Sequence, residues 1–286
     1  MSLINICFCV DKQGIDLVPV VIDSILDKNE HNQINVHLIH NIKNSEMITN
    51  LKNWVTQFEN FSFHDYLKEW NKEYHGLPHV SNACMLRLLI PEIIQEKKVL
   101  YLDIDLIVNL DLAKVFETDV SPTGLGIKEA VWYTCSELTT IKARSGDYIT
   151  TKNPEGVFNL TLPTKTYKEQ MKRSGFQPKM GNCGVMLMDL EILRKKEFTS
   201  GCLKIHKENS HQHDQWIINE YCLGNYTRLR PEFNVFIGQD DHLVEESNDF
   251  IVHYVGGTKP YKFHTGKYQD LWTKHYERVT QHQLVK

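Results

Sequence analysis

Two carboxylates stand one residue apart inside the apolar run Lys98-Val-Leu-Tyr-Leu-Asp-Ile-Asp-Leu-Ile-Val108. If the run is extended, Asp103 and Asp105 point to the same face. Like charges so placed repel, and burying either is costly without a partner. A divalent cation is the simplest partner, because hard cations favour carboxylate oxygens. The plainer alternative is a strand that ends at Leu102 and runs into a polar loop. A second group lies far along the chain, in His253-Tyr-Val-Gly-Gly-Thr-Lys259-Pro260. Gly256 and Gly257 allow close backbone approach and can aim N–H groups at phosphate oxygens. Lys259 adds a compact positive charge. The plainer alternative there is a glycine-rich turn before Pro260. His253 on its own is equally a strand-end histidine satisfied by backbone. The segment lacks the Gly-x4-Gly-Lys-Ser/Thr spacing of a nucleotide triphosphatase.

These residues need a scaffold, and the apolar patterning supplies one. Ile4–Val10 reads as a buried first strand ending at Asp11. Leu17–Leu26 has helical spacing, and Ile34–His40 is a second strand. Ser45 is placed to cap a helix from Glu46 to Phe58. Phe61–Tyr66 is a third strand. A helix is expected over Ser81–Ile90, capped by Ser81 and ended near Pro91, with Arg87 among apolar neighbours. Lys98–Leu102 follows as a strand carrying the acidic pair at its carboxyl end. Gly181–Leu190 and Asn248–Val255 are further strands, Asp214–Leu223 is a helix, and Tyr268–Val285 is a helical tail. Alternating strands and helices imply an α/β sheet covered on both sides. Ligands of such sheets bind beyond the carboxyl strand ends, so Asp11, Asp103 and Asp105 are expected to face one cleft.

The 286 residues are read as a single domain, with an irregular insertion over 120–180 and a C-terminal helical tail over 262–286. The insertion is expected to act as a donor lid or acceptor region, with Glu129 a candidate acceptor contact. Hydrophobic residues at 41% and charged residues at 24% are ordinary for a globular protein. The net charge of -4 gives no basic footprint for nucleic acid. The seven cysteines form no Cys-x-x-Cys pair, which implies a reduced protein without a zinc ribbon. Cys7 and Cys9 share one strand face. No apolar stretch is long enough to cross a bilayer, and the start enters a strand directly. The expected location is cytoplasmic, with at most peripheral contact at the inner face of the cell membrane. The tail cations Lys267, Lys274, Arg278 and Lys286 contribute only about 1 kcal/mol each near an anionic surface.

Segments in a fixed order carry a resemblance. They are Phe8-Cys-Val-Asp11, Met85-Leu-Arg-Leu88, Val99–Asp105, Asn182-Cys-Gly-Val-Met-Leu187, His213-Asp-Gln215 and His253–Pro260. The chain resembles the retaining glycosyltransferases of family 8, which include bacterial lipopolysaccharide galactosyl- and glucosyltransferases and glycogenin. The resemblance implies a GT-A (nucleotide-diphospho-sugar transferase) fold with a Rossmann-like mixed sheet flanked by helices. It implies a metal-dependent enzyme that moves galactose or glucose from a UDP-sugar to a glycan or lipid-linked saccharide. The metal is Mn2+, or Mg2+ in its place, held by Asp103, Asp105 and His253. Val10 and Asp11 match positions that hold uracil and ribose, with Lys12 departing from the usual second polar residue. Arg87 matches an arginine that contacts the donor sugar or supports the acidic pair. Ile104, Gly256, Gly257 and Lys259 fall in donor-binding segments. Asn182, Asp214 and Gln215 match residues around the transferred sugar, with Gln215 near the anomeric carbon.

Three rivals remain at this level. A catalytically silent sugar-nucleotide-binding protein would keep the same residues. A haloacid-dehalogenase-type phosphatase also uses Asp-x-Asp, but it continues with Thr or Val where this chain has Ile107. His211 and His213 would form part of a zinc site if extended, without a third ligand at short spacing. Asp105→Asn is expected, on sequence alone, to leave the fold nearly unaffected by relieving carboxylate repulsion.

Overall fold

The computed structural model describes residues 1–43, 46–70, 81–130, 139–142, 148–153, 156–163, 180–222, 224–256, 259–261, 266–282 and 284. The strands are β1 (Leu3–Val10), β2 (Gln33–His40), β3 (Phe61–Leu67), β4 (Lys98–Leu102), β5 (Leu106–Asn109), β6 (Leu125–Glu129), β7 (Thr139–Lys142), β8 (Tyr148–Asn153), β9 (Gly156–Pro163), β10 (Gly181–Asp189), β11 (Thr227–Arg228), β12 (Val235–Phe236) and β13 (Phe250–His253). The helices are α1 (Val18–Asn29), α2 (Glu46–Val55), α3 (Ile90–Ile93), α4 (Ala113–Phe116), α5 (Leu190–Lys195), α6 (Phe198–Glu208), α7 (Asp214–Cys222), α8 (Asp241–Glu246) and α9 (Gln269–Thr280).

The main sheet has seven strands in the order β11-β6-β10-β4-β1-β2-β3. β1 runs parallel to β2 and β4, whereas β10 runs antiparallel to β4 and β6. The sheet is therefore mixed. Its central strand is apolar on both faces, as expected for a strand covered by packed layers on each side. Ile4, Ile6, Phe8 and Val10 of β1 enter one core, while Cys7 and Cys9 enter the other. The shared face assigned to the two cysteines is thus observed. Full burial of such a Leu, Ile or Phe contributes roughly 1.5–3 kcal/mol. β3 at the edge keeps only Phe61 and Phe63 buried, with polar residues outward.

A smaller sheet, β12-β13-β5, abuts the site. β5 and β13 are antiparallel, with His253 opposite Leu106. The short link Asp103–Asp105 is therefore the step from the large sheet to the small one. The tail helix α9 is fastened to α1. His275 Nδ1 lies 2.7 Å from Asp23 Oδ2, and Arg278 lies 2.7 Å from Asp23 and 2.9 Å from Asp27. Lys274 also pairs with Asp27, and Lys267 with Asp241 and Glu245. Three of the tail cations thus already have carboxylate partners. No helix among the described residues is long and apolar enough to cross a membrane.

Several expectations are corrected. Residues 82–89 form a 3-10 helix, not an α-helix, and α3 follows directly. Pro91 sits in the first turn of α3, where its missing N–H is not needed, so it opens a helix instead of closing one. Ser81 does cap the turn, its hydroxyl accepting from Ala83 N at 3.1 Å. The stretch 120–180 is not irregular throughout. β6 belongs to the main sheet, and β7-β8-β9 form an antiparallel sheet of their own. β7 and β8 are Thr-rich and lack the apolar alternation that marks a strand in sequence, although Thr favours extended backbone; β9 does carry it, in Phe158-Asn-Leu160-Thr-Leu162. Ser45, the proposed cap of α2, lies outside the described residues, and α2 ends at Val55 instead of Phe58.

Candidate active site

Parallel β1 and β4 end side by side, so Asp11 and Asp103 leave the sheet at the same edge. The backbone stops being extended at Leu102, as the plainer reading held. The carboxylates nevertheless converge, because the link bends and both of its ends are pinned. Asp103 N donates to Gly184 O at 2.7 Å, and Tyr254 N donates to Asp105 O at 3.0 Å.

Each carboxylate is oriented by its own partners. Asp103 Oδ1 accepts from Tyr101 Oη at 2.6 Å and from Arg87 Nη2 at 2.9 Å. Its Oδ2 is then turned toward His253 Nε2, at 3.8 Å. Asp105 Oδ2 pairs with Lys259, and its Oδ1 lies 3.3 Å from the same His253 Nε2. One ligand atom from each of Asp103, Asp105 and His253 thus falls within 4.8 Å of the others. Burial would raise the Asp105 carboxyl, but His253 and Lys259 outweigh it and hold the group well below the usual carboxylate range. Burial likewise pulls Lys259 down, and Asp105 more than offsets it, so the amine is raised.

Two oxygens and a neutral imidazole nitrogen aimed at one point suit a divalent first-row cation such as Mn2+. Gly184 leaves room for that convergence. A Cβ there would stand 2.1 Å from His253 Cε1 and 2.9 Å from Asp103 Oδ2. Gly184→Ala is therefore expected to wedge the ligands apart and to destabilise the fold by about 1–3 kcal/mol, an overpacking effect. Urea unfolding and Mn2+ titration check this together. Unchanged affinity in a stable variant would show that the ring does not need its observed place.

Arg87 is the hub behind the pair. It is 7% exposed and touches both halves of the site. Nη1 donates to Cys183 O at 2.9 Å, and Nε lies 2.7 Å from Asp214 Oδ2. The Nε–H is aimed at Cys84 O, 3.2 Å away, so the Asp214 contact is an ion pair. Asp214 Oδ2 is left without an aligned hydrogen-bond donor among the described residues. The guanidinium also stacks on Tyr101, 4.5 Å from the ring centroid. Burial alone would lower Arg87, but Asp103 and Asp214 raise it further.

A cleft of about 330 Å³ opens above these groups, a volume within the range of small-ligand sites. Val10, Asp11, Arg87, Asp103, Ile104, Asp105, Gly256 and Lys259 all line it. Asp11 Oδ1 accepts from Gln13 N at 2.9 Å and Gly14 N at 3.1 Å, while its Oδ2 accepts from Ser81. Ile104 leans over Gly14, where a Cβ would meet its Cδ1 at 2.7 Å. Gly256 adopts φ +76°, which favours glycine. Gly257 lies outside the described residues.

Asn182, Asp214, Gln215 and His253 do not line this cleft; they form its supporting layer. Asn182 Oδ1 accepts from Gly184 N at 2.9 Å, and Gln215 Oε1 accepts from Cys183 N at 3.1 Å. His213 Nδ1 accepts from Trp216 N at 3.4 Å, at the start of α7. Asp103, Asp105 and His253 form a cluster that could hold a metal ion, and His211 and His213 belong to no such cluster among the described residues. Glu129 lies at the end of β6, 3.6 Å from Arg228. The described cysteines are free.

Sequence reasoning did not single out Tyr101, Asn234 or the steric role of Gly184. Period-two alternation places Tyr101 on the Asp103 face, and that signal was available. Asn234 offered none, since it approaches His253 only through folding.

Comparison with known proteins identifies the family and the fold. The sequence model of glycosyl transferase family 8 matches residues 5–265. The glycosyltransferase GlyF of Streptococcus pneumoniae serotype 4 is 26% identical over 216 residues, 72% of this chain and 44% of that protein. General stress protein A of Bacillus subtilis is 24% identical over 209 residues, 65% of this chain and 62% of its own length. This chain thus spans less than two thirds of either curated relative. Among solved structures, the galactosyltransferase LgtC in complex with donor and acceptor sugar analogues superposes with a TM-score of 0.68. The identity is 20%, and 96% of each chain is covered, so the likeness establishes the GT-A fold. The bifunctional glycosyltransferase WbbM gives a TM-score of 0.72 at 17% identity, over 96% of this chain and 50% of that one.

Proposed function

Because the chain belongs to glycosyl transferase family 8, we propose that it moves a hexose, galactose or glucose, from a UDP-sugar to a glycan or lipopolysaccharide-type acceptor with retention of configuration. The observation that carries this reading is the convergence of Asp103 Oδ2 and Asp105 Oδ1, from residues that line the cleft, on His253 Nε2 just behind it. Those three residues would hold Mn2+, which supplies Lewis-acid stabilisation of the departing diphosphate.

The chain's own groups do the rest. Lys259 and the backbone at Gly256 lie beside the acidic pair and are placed to receive phosphate oxygens. Asp11, held by its turn and Ser81, presents a fixed carboxylate to the ribose. Asp214, buried behind the cleft, holds Arg87 in place beneath the acidic pair through its ion pair with Nε.

Retention can follow a double displacement or a same-face attack. A double displacement needs a nucleophile below the sugar. Gln215 is an amide, and its carbonyl oxygen already accepts the Cys183 N–H. Same-face attack therefore fits these residues better. In it the acceptor hydroxyl forms the new bond as the old C–O bond breaks, and the departing phosphate takes the proton. Trapping a covalent glycosyl-enzyme on Asp214 would contradict it. The stretch from 120 to 180 is proposed to cover the donor and shape the acceptor site within a single catalytic domain.

A thermal-shift screen of nucleotide sugars with and without Mn2+ tests the reading. A bound donor at about 100 times its Kd raises apparent stability by about 2.7 kcal/mol. The matched UDP-hexose is expected to raise Tm only when Mn2+ is present. Equal shifts in EDTA, or none with any UDP-sugar, would contradict the reading. Binding without slow donor hydrolysis would point to a catalytically silent protein.

A further inference from the structure

His253 meets the acidic pair through Nε2, and its other nitrogen is buried against an amide. Nδ1 lies 2.9 Å from Asn234 Oδ1. His253 is 3% exposed and Asn234 is fully buried. An amide can be turned either way and an imidazole has two tautomers, so this contact alone does not set the polarity.

The neighbours do set it. Gly184 N–H can only donate, and it stands 2.9 Å from Asn182 Oδ1. Asn182 therefore presents its carbonyl oxygen at this point. Asn234 reaches the same oxygen at 3.0 Å and must offer its NH2 there, since two carbonyl oxygens would repel. That orientation turns Asn234 Oδ1 toward His253, and an acceptor requires a proton on Nδ1. In the neutral ring Nε2 then keeps its lone pair, 3.3 Å from Asp105 Oδ1 and 3.8 Å from Asp103 Oδ2. The Asn234 backbone is held too, because Lys128 Nζ donates to its carbonyl at 2.8 Å. Lys128 is itself buried and paired with Asp240.

We propose that Asn234 is a positioning residue that locks His253 in its Nδ1–H tautomer, so that Nε2 faces the carboxylates ready to bind a divalent cation. The polarity originates at the Gly184 N–H and passes through Asn182 and Asn234 to the ring. A ligating histidine needs its second nitrogen tied in this way, and loss of such a partner typically weakens metal affinity by about 10–100-fold. The inference rests on the cation reading of the site.

Long-range 1H–15N NMR of metal-free, 15N-histidine-labelled protein tests it, with pH raised until the His253 ring is neutral. The wild-type spectrum is expected to show a protonated Nδ1. Asn234→Leu removes the acceptor and is expected to give a mixed or Nε2–H ring, with Mn2+ affinity by EPR reduced about 10–100-fold. A purely structural role would lower Tm and leave the tautomer unchanged. The wild-type spectrum decides even if the variant fails to fold. An Nε2–H ring in wild type overturns the proposal and leaves the cation reading standing. Added Mn2+ that fails to broaden the His253 signals overturns the cation reading itself, separately from the metal-free result.

Discussion

Asp105→Asn is expected to lower hexosyl transfer by about 100–1,000-fold, on the scale of removing one electrostatic stabiliser from a transition state. It is also expected to destabilise the metal-free fold by about 1–3 kcal/mol, contrary to expectation from the sequence. The reason lies in the pairing. Repulsion between the carboxylates is already relieved, because Lys259 and His253 face Asp105 while Arg87 and Tyr101 face Asp103. The substitution removes the charge that the Lys259 ammonium answers. Burial would raise the Asp105 carboxyl, but His253 and Lys259 hold it below its ordinary value. Its stabilising share is therefore complete above the unfolded carboxylate pKa of about 3.9, and fades as pH falls through the depressed folded value. The difference in urea-unfolding free energy between wild type and variant should stay constant from neutral pH to about pH 4 and narrow below it. Retained transfer, or a difference that closes between about pH 7 and 5, would return the pair to a structural role.

Arg87→Met is expected to have the largest effect on stability, a loss of about 3–5 kcal/mol. The methionine fills much of the volume but leaves Asp214, which is 3% exposed, and Asp103 without their guanidinium. It also vacates the Cys183 carbonyl and the face of Tyr101. Arg87→Lys keeps one charge but cannot reach Asp103, Asp214 and a carbonyl in one plane, so it should recover only part of the loss. Urea unfolding checks both, with an unchanged m-value confirming that the comparison concerns stability. A loss below about 1 kcal/mol would mean that the two carboxylates do not depend on this arginine.

The apolar strands were legible because burial on both faces writes itself as an unbroken hydrophobic run. The expected Ile4–Val10, Ile34–His40 and Phe61–Tyr66 differ from β1, β2 and β3 by a residue at their ends. The smaller sheet was not legible as a unit. β5 has four residues, and its partner β13 comes more than a hundred residues later. The turn at 82–89 reads as α-helical because local apolar spacing does not separate it from a 3-10 helix. At the site, Asp103 and Asp105 announce themselves as charge within an apolar run. Their orientation does not, since it depends on Tyr101, Arg87, Lys259 and Gly184, brought together from four separate segments. Asn182 and Gln215 were placed at the transferred sugar by resemblance. Their observed bonds, to Gly184 N and Cys183 N, are backbone contacts that only the fold discloses.

We propose above all that Asp103, Asp105 and His253 hold a divalent cation through which the donor diphosphate is bound. Calorimetric titration of UDP into the wild-type protein, once with Mn2+ and once with EDTA, tests it most directly. Saturable binding is expected with Mn2+, lost in EDTA and lost in Asp105→Asn. Equal UDP affinity in Mn2+ and EDTA would contradict it.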